Sequence, residues 1–415
     1  MANEAVPVDS SVVQPPELIF GTPTPRRAVP IDSCLQFAEH LGLLAAAEGS
    51  NFVFSPVSMR AALILAAAGS GGETLQQMLS FLGSPTVADL NSSAAAMLGS
   101  VTEAAPASDG CGAGACQMAF VNGVWVDSSM ALKPTFQETA TSVYSAVAKS
   151  VDFLHHAPTV VKEVNNFVDM ATNGLIKDLI PAESVGQDTK LVLANALYFK
   201  GTWANKFDRS ETRNGEFHLL DGSTIDTPFM TSTRKQFVST FEGFKVLRLP
   251  YQSAGQQRSF SMLIFLPNSR DGLSSLVRMA TSQPNFLNRH FPNRLVGVSE
   301  LSIPKFKLSS DFEARKVLKG LGLELPFDEA LADFGEMTDS NDGRLFVTRV
   351  HHKATIEVEE EGTVAAAATA VIFELQCYIP PVDFRADHPF MFAIREEVSG
   401  AVLFLGHVAN PSLVD

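Results

Sequence analysis

Long apolar runs are missing from this chain, and no stretch approaches the ~18 consecutive apolar residues of a membrane-spanning helix. Cysteine is scarce, with 4 in 415 residues, which excludes a disulfide-stapled scaffold. Cys111 and Cys116 bracket Gly112-Ala113-Gly114-Ala115. They are expected as free thiols, with pairing left open for an oxidising compartment, and Cys34 and Cys377 stand apart from them. Positive charge is in deficit, 31 Lys+Arg against 45 Asp+Glu for a net charge of −14. That balance argues against nucleic acid or an anionic membrane as the main partner.

Other things are lacking too. The first thirty residues have no basic start and no apolar centre of a secretory signal. They carry Glu4, Asp9, Pro15, Pro16, Pro23, Pro25 and Pro30, so 1–30 reads as a loose leader. A soluble cytoplasmic protein is expected, with extracellular or apoplastic release left open. The Asn91-Ser92-Ser93 sequon then matters only on secretion.

Enzyme motifs are equally absent: no Gly-x-Ser-x-Gly elbow, no phosphate-binding glycine loop and no His-Glu-x-x-His. Ser232-Thr233-Arg234-Lys235 fits Ser-x-x-Lys but lacks the partner motifs that such enzymes need. His155-His156 and His351-His352 are adjacent pairs. On a strand neighbours face opposite ways, so such a pair makes a poor metal clamp. For His351-His352 the alternation predicts one ring in solvent and one buried and hydrogen-bonded. No metal, nucleotide or other cofactor is expected.

What is present is a large core, with 46% hydrophobic and only 18% charged residues. Helical periodicity runs over 34–47, 59–68, 74–82 and 162–179. Strand-like patterns cover 191–199, 245–249, 259–266, 295–306, 344–358 and 401–408. The stretch 102–115 is small, polar and glycine-rich, a loop within the body. No repeat and no linker divides the chain, so the pattern predicts one α+β domain over 31–415.

One connection is odd. Glu359-Glu360-Glu361-Gly362-Thr363-Val364-Ala365-Ala366-Ala367-Ala368-Thr369-Ala370 joins two strand-like segments. The tract is too short and too β-branched at its ends for a stable helix, yet it lies inside the domain. Small side chains at alternate positions suit a loop that slides between existing strands. Read in twos, Thr363, Ala365, Ala367 and Thr369 share one face.

These residues resemble the hinge of the serpin reactive-centre loop, whose insertion into a sheet stores and releases strain. The likeness runs over nearly all of 33–411. Asn51-Phe52-Val53-Phe54-Ser55-Pro56-Val57-Ser58 is similar to the entrance of the family's helix B. The stretch 164–180 is similar to its helix F and the segment after that helix. The stretch 193–203, Ile303-Pro304-Lys305-Phe306, Ala332-Asp333-Phe334, His352-Lys353 and Asp387-His388-Pro389-Phe390 match further signatures in order. Gly174-Leu175-Ile176-Lys177 and the phrase 382–389 look most like plant serpins.

The resemblance implies about nine helices around three sheets, with an exposed loop near 360–385. It implies an irreversible inhibitor of endopeptidases, serine or papain-like cysteine, and not an enzyme. Glu361, Gly362, Thr363, Ala365, Ala367 and Thr369 would be the hinge, with Val364 standing where the family usually has Glu. Ser55, Ser58, Asn195 and His352 would form the shutter beneath strands that part, and Trp203 would pack at the breach. Counting from Gly362 places the reactive bond at Gln376-Cys377, with Leu375 as the neighbouring subsite. Counting back from Pro389 points instead toward Tyr378, and Phe373 is a further alternative. No basic cluster lies in 86–97, so no heparin-like cofactor is expected, and a monomer is. The alternative is a non-inhibitory serpin acting as carrier, chaperone or storage protein.

Overall fold

Ser55 and Pro56 start a helix for a local reason. The Ser55 hydroxyl accepts the Ser58 N–H at 3.1 Å, and Pro56 occupies the first turn, where no amide hydrogen is needed. The computed structural model describes residues 42–43, 45–46, 48–102, 117–253, 259–339, 345–360 and 381–413. The expected leader 1–30, the four cysteines and the segment 361–380 lie outside the described residues.

The described chain begins with β1 (Phe52–Phe54), α1 (Pro56–Ala68), α2 (Gly72–Leu82) and α3 (Val87–Thr102). Then come β2 (Gln117–Asp127), β3 (Ala131–Leu132), α4 (Pro134–Tyr144), β4 (Val147–Val151), α5 (Phe153–Ala171) and β5 (Leu191–Lys200). The middle contains β6 (Arg213–His218), β7 (Thr224–Ser232), β8 (Gln236–Phe241), β9 (Phe244–Pro250), β10 (Phe260–Pro267), α6 (Leu273–Ser282) and α7 (Phe286–Arg289). Next are β11 (Leu295–Val296), β12 (Val298–Pro304), β13 (Phe306–Glu313), α8 (Arg315–Gly320) and β14 (Thr338–Asp339). The chain closes with β15 (Arg349–Val358), β16 (Val382–Arg385), β17 (Phe390–Glu396) and β18 (Val402–Val408).

The eight α-helices among the described residues surround three large sheets and a β14–β3 ladder. The seven-stranded sheet runs β1-β18-β17-β10-β9-β8-β11, and every pair in it is antiparallel. Gly406 in β18 allows its close approach to β1, since a Cβ there would lie 2.2 Å from the Phe52 carbonyl oxygen. The four-stranded sheet runs β16-β12-β7-β6 and the five-stranded one β13-β15-β5-β2-β4. Helix α1 is buried in all but its last residue, matching its apolar composition on every side, and packs beneath β2 and β5.

The other face of the five-stranded sheet is covered by α5. Val160, Val161, Val164 and Val168 rest on Val121, Trp125, Val192, Ala194 and Ala196. The periodicity predicts this helix over 162–179, but it spans Phe153–Ala171, kinked at His156 ahead of Pro158. It stops early because Asn173 and Gly174 take φ of 51° and 80°, a left-handed pair that no helix continues. Ile176, Leu179 and Ile180 keep the apolar face but bury it as an irregular crossing segment. No helix among the described residues is long and apolar enough to cross a membrane.

Candidate functional site

β5 and β15 lie side by side and run parallel, with His352 level with Asn195 and Glu357 level with Lys200. Residues in register share a face, so the seam between these strands has two distinct sides.

On the side toward α1, Asn195 and His352 are fully buried and meet across the seam. The Ser55 N–H donates to His352 Nε2 at 3.2 Å, which leaves Nδ1 to carry the proton and donate to Asn195 Oδ1. The same oxygen accepts the Ser58 hydroxyl at 2.8 Å. Burial pushes the His352 imidazole down to about 3, so it stays neutral and keeps this tautomer. Ser55, Ser58, Asn195 and His352, all named from the sequence, thus form one connected cluster. Asn122 stands level with Asn195 on β2. Its two side-chain polar atoms, and Asn195 Nδ2, have no partner among the described residues.

The side toward α5 places Arg349, His351, Lys353, Thr355 and Glu357 in a row by strand alternation. His351 corrects one expectation, because neither ring of the His351-His352 pair faces solvent. His351 is 4% exposed, covered from the α5 side, and its Nε2 has no partner among the described residues. Burial, then the Arg349 charge, push it down to about 4. Its flanking cations tether the crossing segment: Arg349 Nε donates to the Ser184 carbonyl at 2.8 Å and Lys353 Nζ to that of Lys177 at 3.0 Å. Asn165 of α5 holds the same segment by two 2.9 Å bonds with Ile180.

At the end where β15 leaves the sheet, Trp203 stacks on Tyr251 with ring centroids 4.5 Å apart and donates its N–H to the Glu359 carbonyl at 2.8 Å. Gly201 makes room, since a Cβ there would lie 2.3 Å from the Tyr251 ring. Lys200 Nζ binds Glu357 at 2.9 Å and Glu359 at 3.2 Å, and Tyr198 donates to Glu357 at 3.1 Å. Burial works against the Glu357 carboxylate, yet the Lys200 bond holds it below its ordinary value. Glu360, 4% exposed, pairs with Lys305 at 2.9 Å and accepts the Thr212 hydroxyl at 2.8 Å.

The expected hinge residues Glu361, Gly362, Thr363, Ala365, Ala367 and Thr369 lie outside the described residues, as do Leu375, Gln376 and Cys377. Sequence reasoning missed Asn122, Tyr198, Lys200, Tyr251, Lys305 and Glu357. Lys200 lies within the recognised stretch 193–203, and alternation beyond His351 reaches Glu357, but their pairing is a property of the fold. Ser232 ends β7, and its hydroxyl accepts the Arg234 N–H at 3.2 Å, while Lys235 is exposed. Nothing in this arrangement activates that serine.

A closed sheet with a parallel central seam, a buried polar cluster under it and a chain that exits at one end defines a recognisable architecture. The sequence profile of the serpins, serine protease inhibitors, matches residues 34–411. Rice Serpin-ZXA is 49% identical over 370 residues, covering 89% of this chain and 92% of that protein. Barley Serpin-ZX is 46% identical over 390 residues, 93% and 96% of the two chains. The structure of Arabidopsis AtSerpin1 in its native stressed conformation superposes with a TM-score of 0.86 at 43% identity, covering 92% of this chain and 96% of that one. Uncleaved ovalbumin, at 21% identity and a TM-score of 0.78, shares the fold. The chain belongs to the serpin family, a family of protease inhibitors and not of enzymes, and its likeness to plant serpins extends through most of its length.

Proposed function

We propose that this chain is a suicide inhibitor of serine or papain-like cysteine endopeptidases, with Gln376-Cys377 as bait and Leu375 in the adjoining subsite. The nucleophile of the protease attacks the Gln376 carbonyl, the Cys377 amine leaves, and an acyl-enzyme remains. The freed strand then enters the five-stranded sheet and carries the protease with it before water completes hydrolysis.

The observation that carries this reading is the parallel contact between β5 and β15. A segment folding back from the end of β15 and entering between them runs antiparallel to both, so one parallel contact becomes two antiparallel ones. The next described strand after β15, β16, belongs to the four-stranded sheet, so the connection spans the two sheets. Thr363, Ala365, Ala367 and Thr369 would face inward and bury no charge. Val364 would face outward, with little effect on insertion. The Asn122 side-chain amide and Asn195 Nδ2, without partners among the described residues, are hydrogen-bonding capacity that an arriving strand could use. Glu361 and Gly362 would act as the hinge, and Ser55, Ser58, Asn195, His352 and Trp203 as the groups that exchange partners as the sheet opens.

The test is parallel incubation with a papain-like protease, a trypsin and a chymotrypsin. The expected result is an SDS-stable adduct together with a released peptide beginning at Cys377. Clean cleavage with no adduct in any of the three would overturn the reading in favour of a carrier or storage role.

A further inference from the structure

We propose that Tyr198, Lys200, Glu357 and Glu359 form a latch across the β5–β15 seam that sets how fast the loop is taken up, an inference that rests on the insertion reading above. The four groups sit at the end of the seam where β15 leaves the sheet, the end at which an entering strand must begin.

Two of the latch groups belong to β5 and two to β15 or its continuation, so every bond among them crosses the seam. Lys200 bridges Glu357 and Glu359 at 2.9 and 3.2 Å, and the Tyr198 hydroxyl adds a bond to Glu357 at 3.1 Å. Neighbouring strands lie about 4.8 Å apart, and a new strand between them doubles that separation. Bonds of this length do not survive the doubling, so all three break before the first residue is seated. The side-chain pairs that join β15 to β13 are different. Lys353–Asp311 at 3.7 Å and Ser309–Thr355 at 2.9 Å link it to β13, and they travel intact when β15 moves with β13.

The surroundings make breakage costly. The Glu357 side chain is 16% exposed and that of Lys200 35%, so neither charge recovers full hydration until the seam has opened. Removing Lys200 leaves two carboxylates side by side with no cation between them, which pushes the seam apart. The Tyr198 phenol, raised in pKa by burial and by Glu357, stays protonated and able to donate. Trp203 reinforces the same place through its bond to the Glu359 carbonyl. The shutter cluster closes the middle of the seam, but it lies on the opposite face and uses neutral groups.

The experiment uses the full chain and the variants Lys200→Met, Glu357→Gln, Tyr198→Phe and the reversal Lys200→Glu with Glu357→Lys. Lys149→Met, which breaks the exposed Lys149–Glu163 pair between β4 and α5, serves as control. Two quantities are measured: the rate at which uncleaved protein converts on warming to a heat-resistant form unable to trap protease, and the melting midpoint before and after loop nicking. Lys200→Met and Glu357→Gln should convert about tenfold faster than wild type, and Tyr198→Phe two- to threefold faster. The reversal should return to within about threefold of wild type, and Lys149→Met should not change. Should any single variant fail to fold, the reversal and Tyr198→Phe still decide the matter, because a merely structural role would not be rescued by exchanging the charges. Conversion at the wild-type rate, in protein whose midpoint rises on nicking, overturns the latch and leaves insertion standing. No rise in midpoint for nicked wild type overturns the insertion reading itself.

Discussion

Every pair in the seven-stranded sheet is antiparallel, and β10, β17 and β18 are buried along their whole length with almost wholly apolar side chains. The five-stranded sheet joins β5 to β15 in parallel, and polar side chains on both faces hold that one contact. The two sheets share one hydrophobic core, so the difference is not one of burial. Apolar packing is non-directional and has no alternative partner to exchange for, so the seven-stranded sheet has one favourable arrangement. Hydrogen bonds and ion pairs are directional, and a sheet closed by them has a defined set of bonds to release. On the insertion reading proposed above, opening would be confined to one seam, with the rest of the structure as a fixed frame.

That contrast is open to breakage, and the effects should fall in a definite order. Phe404→Ala removes a fully buried ring from the seven-stranded sheet and should cost about 3–5 kcal/mol of unfolding free energy. Denaturant melts should show this loss equally before and after loop nicking, because that sheet serves as frame in both states. A loss confined to one state would erase the distinction between the sheets.

Acid comes next. His351 and His407, pushed down to about 4, and His352, at about 3, remain neutral in the fold but gain protons in the unfolded chain near 6.5. Their contribution is whole above pH 6.5 and falls as pH drops from 6.5 toward 4, where His351 and His407 begin to charge. Each should remove about 2 kcal/mol by pH 5, read as a falling melting midpoint. His351→Gln should flatten that fall. An unchanged slope would mean His351 is hydrated, and not shielded under α5.

His352→Ala breaks the bonds to Ser55 and Asn195 at once and should cost about 2–3 kcal/mol at pH 7.5, besides hastening conversion. If conversion stays slow, the middle of the seam is not where opening is limited. The smallest of the four is Trp203→Phe. It keeps most of the ring stack on Tyr251 but loses the N–H bond to Glu359, for about 1 kcal/mol. Equal effects from Trp203→Phe and Phe404→Ala would count against any special character for the seam.

Much of this is legible in the residues. Ser55-Pro56 announces α1, the apolar run from Leu191 announces β5, and the family resemblance groups Ser55, Ser58, Asn195 and His352, which the structure joins by hydrogen bonds. β2 escapes such a reading, because its last seven residues are buried on both sides and the strand shows no alternation. His351 reads as a solvent-facing ring because a strand period alone cannot know that α5 and its crossing segment lie above it. Glu359 and Glu360 open the odd connection, and the sequence names no partner for either. Each is in fact paired, Glu359 with Lys200 and Glu360 with Lys305, whose partners stand 159 and 55 residues away in the chain. Pairings over such distances leave no local pattern, so no reading of the sequence alone brings Lys200 to Glu359 or Lys305 to Glu360.

The placement of the aromatic groups has an optical consequence. The chain contains 2 tryptophans, and both belong to the five-stranded sheet or its rim. Trp125 lies in β2 with its ring edge-on to Phe167 of α5, and Trp203 lies against Tyr251 at the exit of β15. Tryptophan fluorescence, selectively excited, is thus emitted by the part of the molecule that would rearrange. An unlabelled sample in a stopped-flow fluorimeter would time the event directly, and Trp125→Phe would leave a single lamp at the entrance.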